Sequence, residues 1–91
     1  MKHAGQVALD QLEPFLRELR TVEELKEKSR GVFYRQGRAF LHFHEDPKGL
    51  FADVRFGDDF ERLEATSVTQ RAVLLKRIRA CVAAGKTKLA R

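Results

Sequence analysis

Arg35-Gln-Gly-Arg-Ala-Phe-Leu-His-Phe-His-Glu-Asp-Pro-Lys-Gly-Leu-Phe-Ala-Asp-Val-Arg55 is the stretch that decides the fold. It contains two turn signals, each placed between runs rich in aromatic and β-branched residues. Gln36-Gly37 suits a two-residue hairpin turn of the primed type, and Asp46-Pro-Lys-Gly49 has the composition of a type I turn. The predicted antiparallel strands span residues 31–35, 38–44 and 50–56.

The register of the second hairpin follows from which side chains can be buried together. With residues 46–49 as the loop, Leu41 lies opposite Val54, and one face of the sheet is consistently apolar. A loop shorter by one residue would turn every side chain of one strand over, so we prefer the first register. It places His42 opposite Asp53 on the second face. The predicted apolar face comprises Val32, Tyr34, Ala39, Leu41, Phe43, Ala52, Val54 and Phe56, and the second face also carries Phe33, Phe40, His44, Phe51 and Arg55.

Helical segments are predicted before the strands. Residues 5–20 have apolar side chains at helical spacing, which predicts an amphipathic helix. Pro14 requires either a kink in this helix or a restart near the proline. Thr21-Val-Glu-Glu24 matches a capping box, which predicts a further short helical segment over residues 22–28.

A closing helix is predicted over residues 68–84. Ser67-Val-Thr-Gln70 is a capping box at its start, and Gly85 suits the left-handed residue that follows a helix end. The expected fold class is α+β in one domain, residues 1–91: an N-terminal helical segment, a three-stranded antiparallel meander and a C-terminal helix. Residues 85–91 are expected to form a flexible basic tail.

Composition narrows the class of protein. A chain of 91 residues has room for one modest core. One cysteine excludes an internal disulfide, and no apolar run reaches the roughly 18 residues that span a bilayer. We expect a cytoplasmic protein with no membrane partner and no cofactor. Because three strands and two helices do not cover both sheet faces, we also expect a homodimer.

The excess positive charge of the chain lies at its C-terminal end. The net charge is +5. Residues 76–91 contain six basic and no acidic side chains, whereas the other 75 residues carry twelve basic and thirteen acidic ones. This asymmetry favours contact with phosphate groups, although basic side chains also suit a helix C-terminus. The residues expected to contribute are Lys76, Arg77, Arg79, Lys86 and Lys88.

The second sheet face adds arginines beside aromatic rings, an arrangement on which unpaired bases can stack. We therefore expect a small binding or accessory protein rather than an enzyme, with nucleic acid or another protein as its partner. The residues of this predicted binding surface are Phe33, Arg35, Arg38, Phe40, His42, His44, Phe51, Asp53 and Arg55.

Two histidines on one strand provide the alternative hypothesis. His42 and His44 are two residues apart, so both point to the same side, and Asp53 is a candidate third ligand for a zinc ion. The same three residues could act as an acid–base group in a small enzyme, or form a half-buried polar row without further function.

The central segment, residues 32–60, also resembles a known family. Ala39-Phe-Leu-His-Phe-His44, followed by Ala52-Asp-Val-Arg55, is similar to the small bacterial domain called "luciferase family protein". The order of a leading helix, a strand meander and a closing helix more distantly resembles the MmcQ/YjbR group. The second resemblance implies DNA binding, and neither implies a catalytic residue at a position of this chain.

Overall fold

The structure is a computed structural model that describes residues 1–89, with side chains as far as Gly85. Within residues 1–89 it contains two helices and six strands, which confirms the α+β class. None of the helices in this part of the chain is both long and apolar enough to cross a membrane. The elements are β1 (Lys2–His3), α1 (Gln6–Leu19), β2 (Leu25–Ser29), β3 (Val32–Arg35), β4 (Arg38–Asp46), β5 (Gly49–Val54), β6 (Glu61–Glu64) and α2 (Val68–Leu89).

The prediction of a three-stranded meander is wrong, because the sheet is larger. Its strands pair antiparallel in the order β2-β3-β4-β5-β6, and β1 pairs with β4 beside this path. The segment expected to be helical over residues 22–28 instead leads into β2. The Thr21 hydroxyl donates to the carbonyl of Glu18, at the end of α1, and does not cap a new helix. Pairing with β3 thus outweighs the local preference of this charged segment.

The predicted turns and the register of the central hairpin are confirmed. Gln36 and Gly37 have φ values of 54° and 78°, as a type I′ turn requires. In the β4–β5 pair, Leu41 lies opposite Val54 and His42 opposite Asp53. The backbone N–H of Lys48 donates to the Asp46 carboxylate at 3.0 Å, which stabilises the connecting turn.

A β-bulge changes the expected faces of the β3–β4 pair. Phe33 lies opposite Leu41 and Tyr34 opposite Ala39, so Phe40 is the extra residue on β4. Phe33 is therefore 1% exposed and Phe40 3% exposed, and both belong to the core. Their predicted position on the second face is wrong, since the prediction assumed unbroken alternation along both strands. Val32 and Tyr34, expected on the apolar face, are half-buried and lie outside the core cluster.

Both helices cover the same face of the sheet. α1 runs unbroken past Pro14, which excludes a restart of the helix there. Pro14 has no N–H to donate to the carbonyl four residues earlier. Because the proline is exposed, that carbonyl lies near solvent. The capping box of α2 is confirmed by reciprocal 3.0 Å bonds between Ser67 and Gln70. α2 continues through Gly85, which does not have a positive φ, to Leu89. The helix residues in the core are Ala8, Leu12, Phe15, Leu16, Leu19, Leu74, Ile78 and Val82.

The opposite face of the sheet, which we call the open face, carries polar and aromatic side chains. Along β4 and β5 its side chains alternate with those of the core, because successive side chains of a strand point to opposite sides of the sheet. β1 and β6 extend it on either side of these two strands. The open face comprises His3, His42, His44, Phe51, Asp53, Arg62 and Glu64.

The bulge predicts unequal roles for two phenylalanines. Replacing Phe33 by alanine should lower the free energy of unfolding by about 3–5 kcal/mol, because a fully buried ring leaves a cavity. Replacing Phe51, half-buried on the open face, should cost about 1 kcal/mol. Urea denaturation followed by circular dichroism measures both. Equal losses would show that Phe33 does not lie in the core.

Candidate metal centre

A two-residue strand adds a third histidine to the pair expected from the sequence. β1 pairs with the end of β4, so that His3 lies directly opposite His44. The N–H of Ala4 donates to the carbonyl of Phe43 at 3.1 Å and continues this pairing. All three histidines of the chain therefore meet on the open face.

The three imidazole rings are close enough to share one ion. The ring centroids of His3 and His44 are 4.6 Å apart, and those of His42 and His44 are 5.1 Å apart. One nitrogen from each ring lies within 4.8 Å of the other two. Zn²⁺ bound tetrahedrally at about 2.0–2.1 Å holds its nitrogen ligands roughly 3.3 Å apart. Small side-chain rotations that move each nitrogen by about 1 Å close the difference between these two separations.

Several of these nitrogens are buried without a hydrogen-bond partner. Among the described residues, no hydrogen bond of good geometry reaches Nδ1 of His42 or either ring nitrogen of His44. Nε2 of His44 lies 3.2 Å from a carboxylate oxygen of Asp53, but the two are not aligned for a hydrogen bond. Buried polar atoms are normally satisfied, so unpartnered nitrogens that lie this close to one another require an explanation.

Asp53 has a different main partner from the one expected. Nε and Nη2 of Arg62 each donate to one of its carboxylate oxygens at 2.8 Å. These bonds hold the pKa of Asp53 below its usual value, despite the opposing effect of burial. Asp53 therefore remains ionised beside the histidines and is not one of the three clustered ligands. The sequence did not indicate Arg62, because β6 was not predicted.

The environment keeps the two β4 histidines neutral. Burial lowers the pKa of His42 and of His44, and the positive charge of Arg62 acts in the same direction. Asp53 opposes the shift at both rings, and the backbone of Lys2 also opposes it at His44. A neutral imidazole has a free lone pair on one nitrogen, which is the form that binds a metal.

The predicted arginine–aromatic surface is assembled only in part: Phe33 and Phe40 lie in the core, and the Arg35 guanidinium lies over the Phe40 ring at 5.7 Å. Arg55 donates to the carbonyl of Ala39 at 2.9 Å and lies over the Phe60 ring at 4.4 Å. Arg35 packs against α2, where its Nη1 lies 3.6 Å from the Cys81 sulfur. Besides His42, His44 and Asp53, the remaining residues of that surface are Arg38, exposed at the hairpin, and Phe51, half-buried across from His44.

The basic residues of α2 point in different directions. Arg77 pairs with Glu61 at 3.2 Å and lies over the Phe56 ring. Lys76 and Arg79 are exposed and line a groove between α1 and α2. The side chains of Lys86 and Lys88 lie outside the described residues. Binding of nucleic acid to this helix stays a prediction.

Comparisons with family models, with curated proteins and with solved structures found no match to this chain. The resemblance drawn from the histidine-bearing strand therefore stays a prediction as well. The function has to be argued from the geometry of the site.

The lowered pKa values predict a pH dependence of stability. In the folded chain, the pKa values of His42 and His44 lie below the ordinary histidine value of 6.5. Their contribution to stability is therefore complete above pH 6.5 and is lost as the pH falls through the folded-state pKa values. In EDTA, the urea midpoint should fall between about pH 7.5 and pH 5, a range above the titration of carboxylates.

A double variant, His42→Gln with His44→Gln, provides the control. It should lose most of this pH dependence. A wild-type midpoint that stays constant, or rises, on acidification would contradict burial of neutral imidazoles.

Proposed function

We propose that this protein is a metal-binding domain that holds one divalent transition-metal ion between His3, His42 and His44. The observation that carries the proposal is the convergence of three imidazoles whose ligand atoms lie within 4.8 Å of one another. Imidazole nitrogen suits zinc, copper, iron and nickel, and zinc is the first ion to test.

The unpartnered nitrogens favour a metal over a simple polar row. In a polar row, each histidine would donate to or accept from a neighbour, and the side chains would satisfy one another. Here no hydrogen bond of good distance and angle reaches either ring nitrogen of His44 among the described residues, although a looser contact with the Lys2 backbone acts on its pKa. A bound cation would accept the lone pairs that otherwise remain buried and unused.

The strand geometry supports the same proposal. His42 and His44 lie two apart on β4, so the sheet backbone determines the separation of their Cβ atoms. His3 approaches from the neighbouring strand as the direct partner of His44. His42 and His44 are thus attached to a central strand of the sheet, and ligands on such an element are positioned more precisely than ligands on loops.

Asp53 and Arg62 fit the role of an outer shell. Metal-binding histidines commonly have a carboxylate beside the ring, which orients the ring and raises its basicity. Asp53 lies at this position next to His44, and Arg62 holds it with two hydrogen bonds. Asp53 would act as a positioning residue once the His44 ring turns enough for Nε2 to donate to its carboxylate, 3.2 Å away.

Titration with Zn²⁺ tests the site directly. Isothermal calorimetry of EDTA-treated, dialysed protein should show one ion bound per chain. Each single substitution, His3→Ala, His42→Ala or His44→Ala, should weaken binding by more than 100-fold, beyond the 10- to 100-fold range of outer-shell changes. Glu64→Gln, which removes a carboxylate on the neighbouring strand β6, is the matched control and should bind as the wild type does.

Two results would contradict the proposal. The first is the absence of saturable zinc binding by correctly folded wild-type protein. The second is zinc binding that persists when any one of the three histidines is replaced by alanine, because such a result would place the ion elsewhere on the chain.

The outer-shell role predicts an intermediate effect for Asp53→Asn. The substitution keeps the shape of the side chain but removes its charge, so zinc affinity should fall about 10- to 100-fold. Circular dichroism checks that the variant folds, since the Arg62 pair also changes. An affinity within twofold of the wild type would show that Asp53 has no part in the site.

A further inference from the structure

We infer that the metal ion retains an open coordination position on the open face and that this position binds an oxyanion, a carboxylate or a phosphate group. The inference rests on the proposed metal site and names the class of ligand that the site takes. It begins from the number of ligands that the described residues supply.

The described residues supply three ligands, one fewer than a tetrahedral zinc ion requires. Closed structural sites have four protein ligands, whereas sites that react or exchange have three and leave one position for water or another ligand. Asp53 is the nearest further donor, at 3.2 Å from His44. Both of its oxygens already accept hydrogen bonds from Arg62, which compete with coordination to the ion, and Asp53 is not one of the three clustered ligands.

The charges around the ion favour an anion at that position. The three histidines bind as neutral ligands, and the single negative charge of Asp53 is balanced by Arg62. A divalent ion therefore leaves the site with a net charge of roughly +2, in which the ion is the largest local charge. An oxyanion brings negative charge to the metal and displaces a weakly bound water.

Two arginines lie beside the cluster, both on the β5 side of β4. Arg62 reaches it through Asp53, and its side chain is 48% exposed with two of its nitrogens on that carboxylate. Arg55 lies over Phe60, whose ring centroid is 5.0 Å from that of His42. Guanidinium groups recognise carboxylates and phosphates through charge-assisted hydrogen bonds.

The site is also accessible to a ligand from solvent. The helices pack on the other side of the sheet, so they do not cover the histidines. His3 is an exposed residue at the rim, and Phe60 is 38% exposed beside His42. The exposed His3 and Phe60 thus form the rim at which a small anion would reach the ion, and the nitrogens of His44 lie below it.

Cobalt substitution tests the inference. Co²⁺ replaces zinc in nitrogen sites, and its visible absorption reports the number and type of ligands. Addition of inorganic phosphate or acetate to the Co²⁺-loaded protein, in a perchlorate background, should change the spectrum in a saturable manner. The metal-free protein should bind neither anion by calorimetry. Saturation by phosphate, acetate or both supports the inference, and the two titrations show which group is preferred.

The outcomes separate this inference from the proposed function. Failure to bind Co²⁺ at one ion per chain would overturn the metal site itself. Binding of Co²⁺ with a spectrum that neither anion changes would leave the metal site standing and overturn the open position.

Arg62→Met examines the contribution of the flanking charge, with Arg38→Met as the control at the distant hairpin. The first substitution should weaken anion binding to the Co²⁺-loaded protein about tenfold, and the second should leave it unchanged. Equal behaviour of the two variants would overturn the role given to Arg62. The cobalt spectrum before anion addition verifies that each variant still holds the ion.

Discussion

The pairing of β4 with β5 is the constraint on which the rest of the structure depends. Its register places Leu41 opposite Val54 and His42 opposite Asp53. Because side chains alternate along a strand, this one register sends Leu41 and Phe43 into the core and leaves the histidines on the open face. A shift by one residue would expose the core and bury the imidazoles, so the fold and the candidate site are determined by the same hydrogen bonds.

The sequence predicted this central hairpin well because its signals are local. The Gln36-Gly37 turn, the Asp46–Gly49 composition and the alternation along residues 41–54 all act within a few residues. The bulge at Phe40 is different: it reverses the expected faces of β3, and no residue type at that position requires it. The bulge can be inferred only from how the side chains of β3 and β4 pack against the helices.

The outer strands explain why the site was only half predicted. β1 has two residues and β6 has four, and their sequences, Lys-His and Glu-Arg-Leu-Glu, have little of the β-branched or aromatic character of a strand. Tertiary pairing forms them, and they bring His3 and Arg62 to the open face. His42, His44 and Asp53 could be placed from the hairpin alone, whereas their decisive neighbours come from distant parts of the chain.

The unpartnered nitrogens and the buried carboxylate of the open face cost free energy of folding. Each buried nitrogen without a partner costs about 1–3 kcal/mol relative to a satisfied one. Asp53 is 8% exposed and depends on Arg62, since a buried charge left alone is strongly destabilising. A chain of this size has few kilocalories to spare, so such a concentration of unsatisfied and charged groups is better explained by a ligand than by packing.

The same reasoning links metal binding to the attachment of β1. This strand pairs with β4 through only two residues, supported by the N–H of Gly5 on Glu45 and an exposed Lys2–Glu45 ion pair at 3.9 Å. Such contacts are individually weak. An ion bound jointly by His3 and the two β4 histidines would join β1 to the sheet, and a ligand at 100 times its dissociation constant would stabilise the bound state by about 2.7 kcal/mol. Part of the free energy of metal binding would then be used to pair β1 with β4. The metal affinity of the site and the fraction of chains in which β1 is paired would therefore report on the same coupled equilibrium.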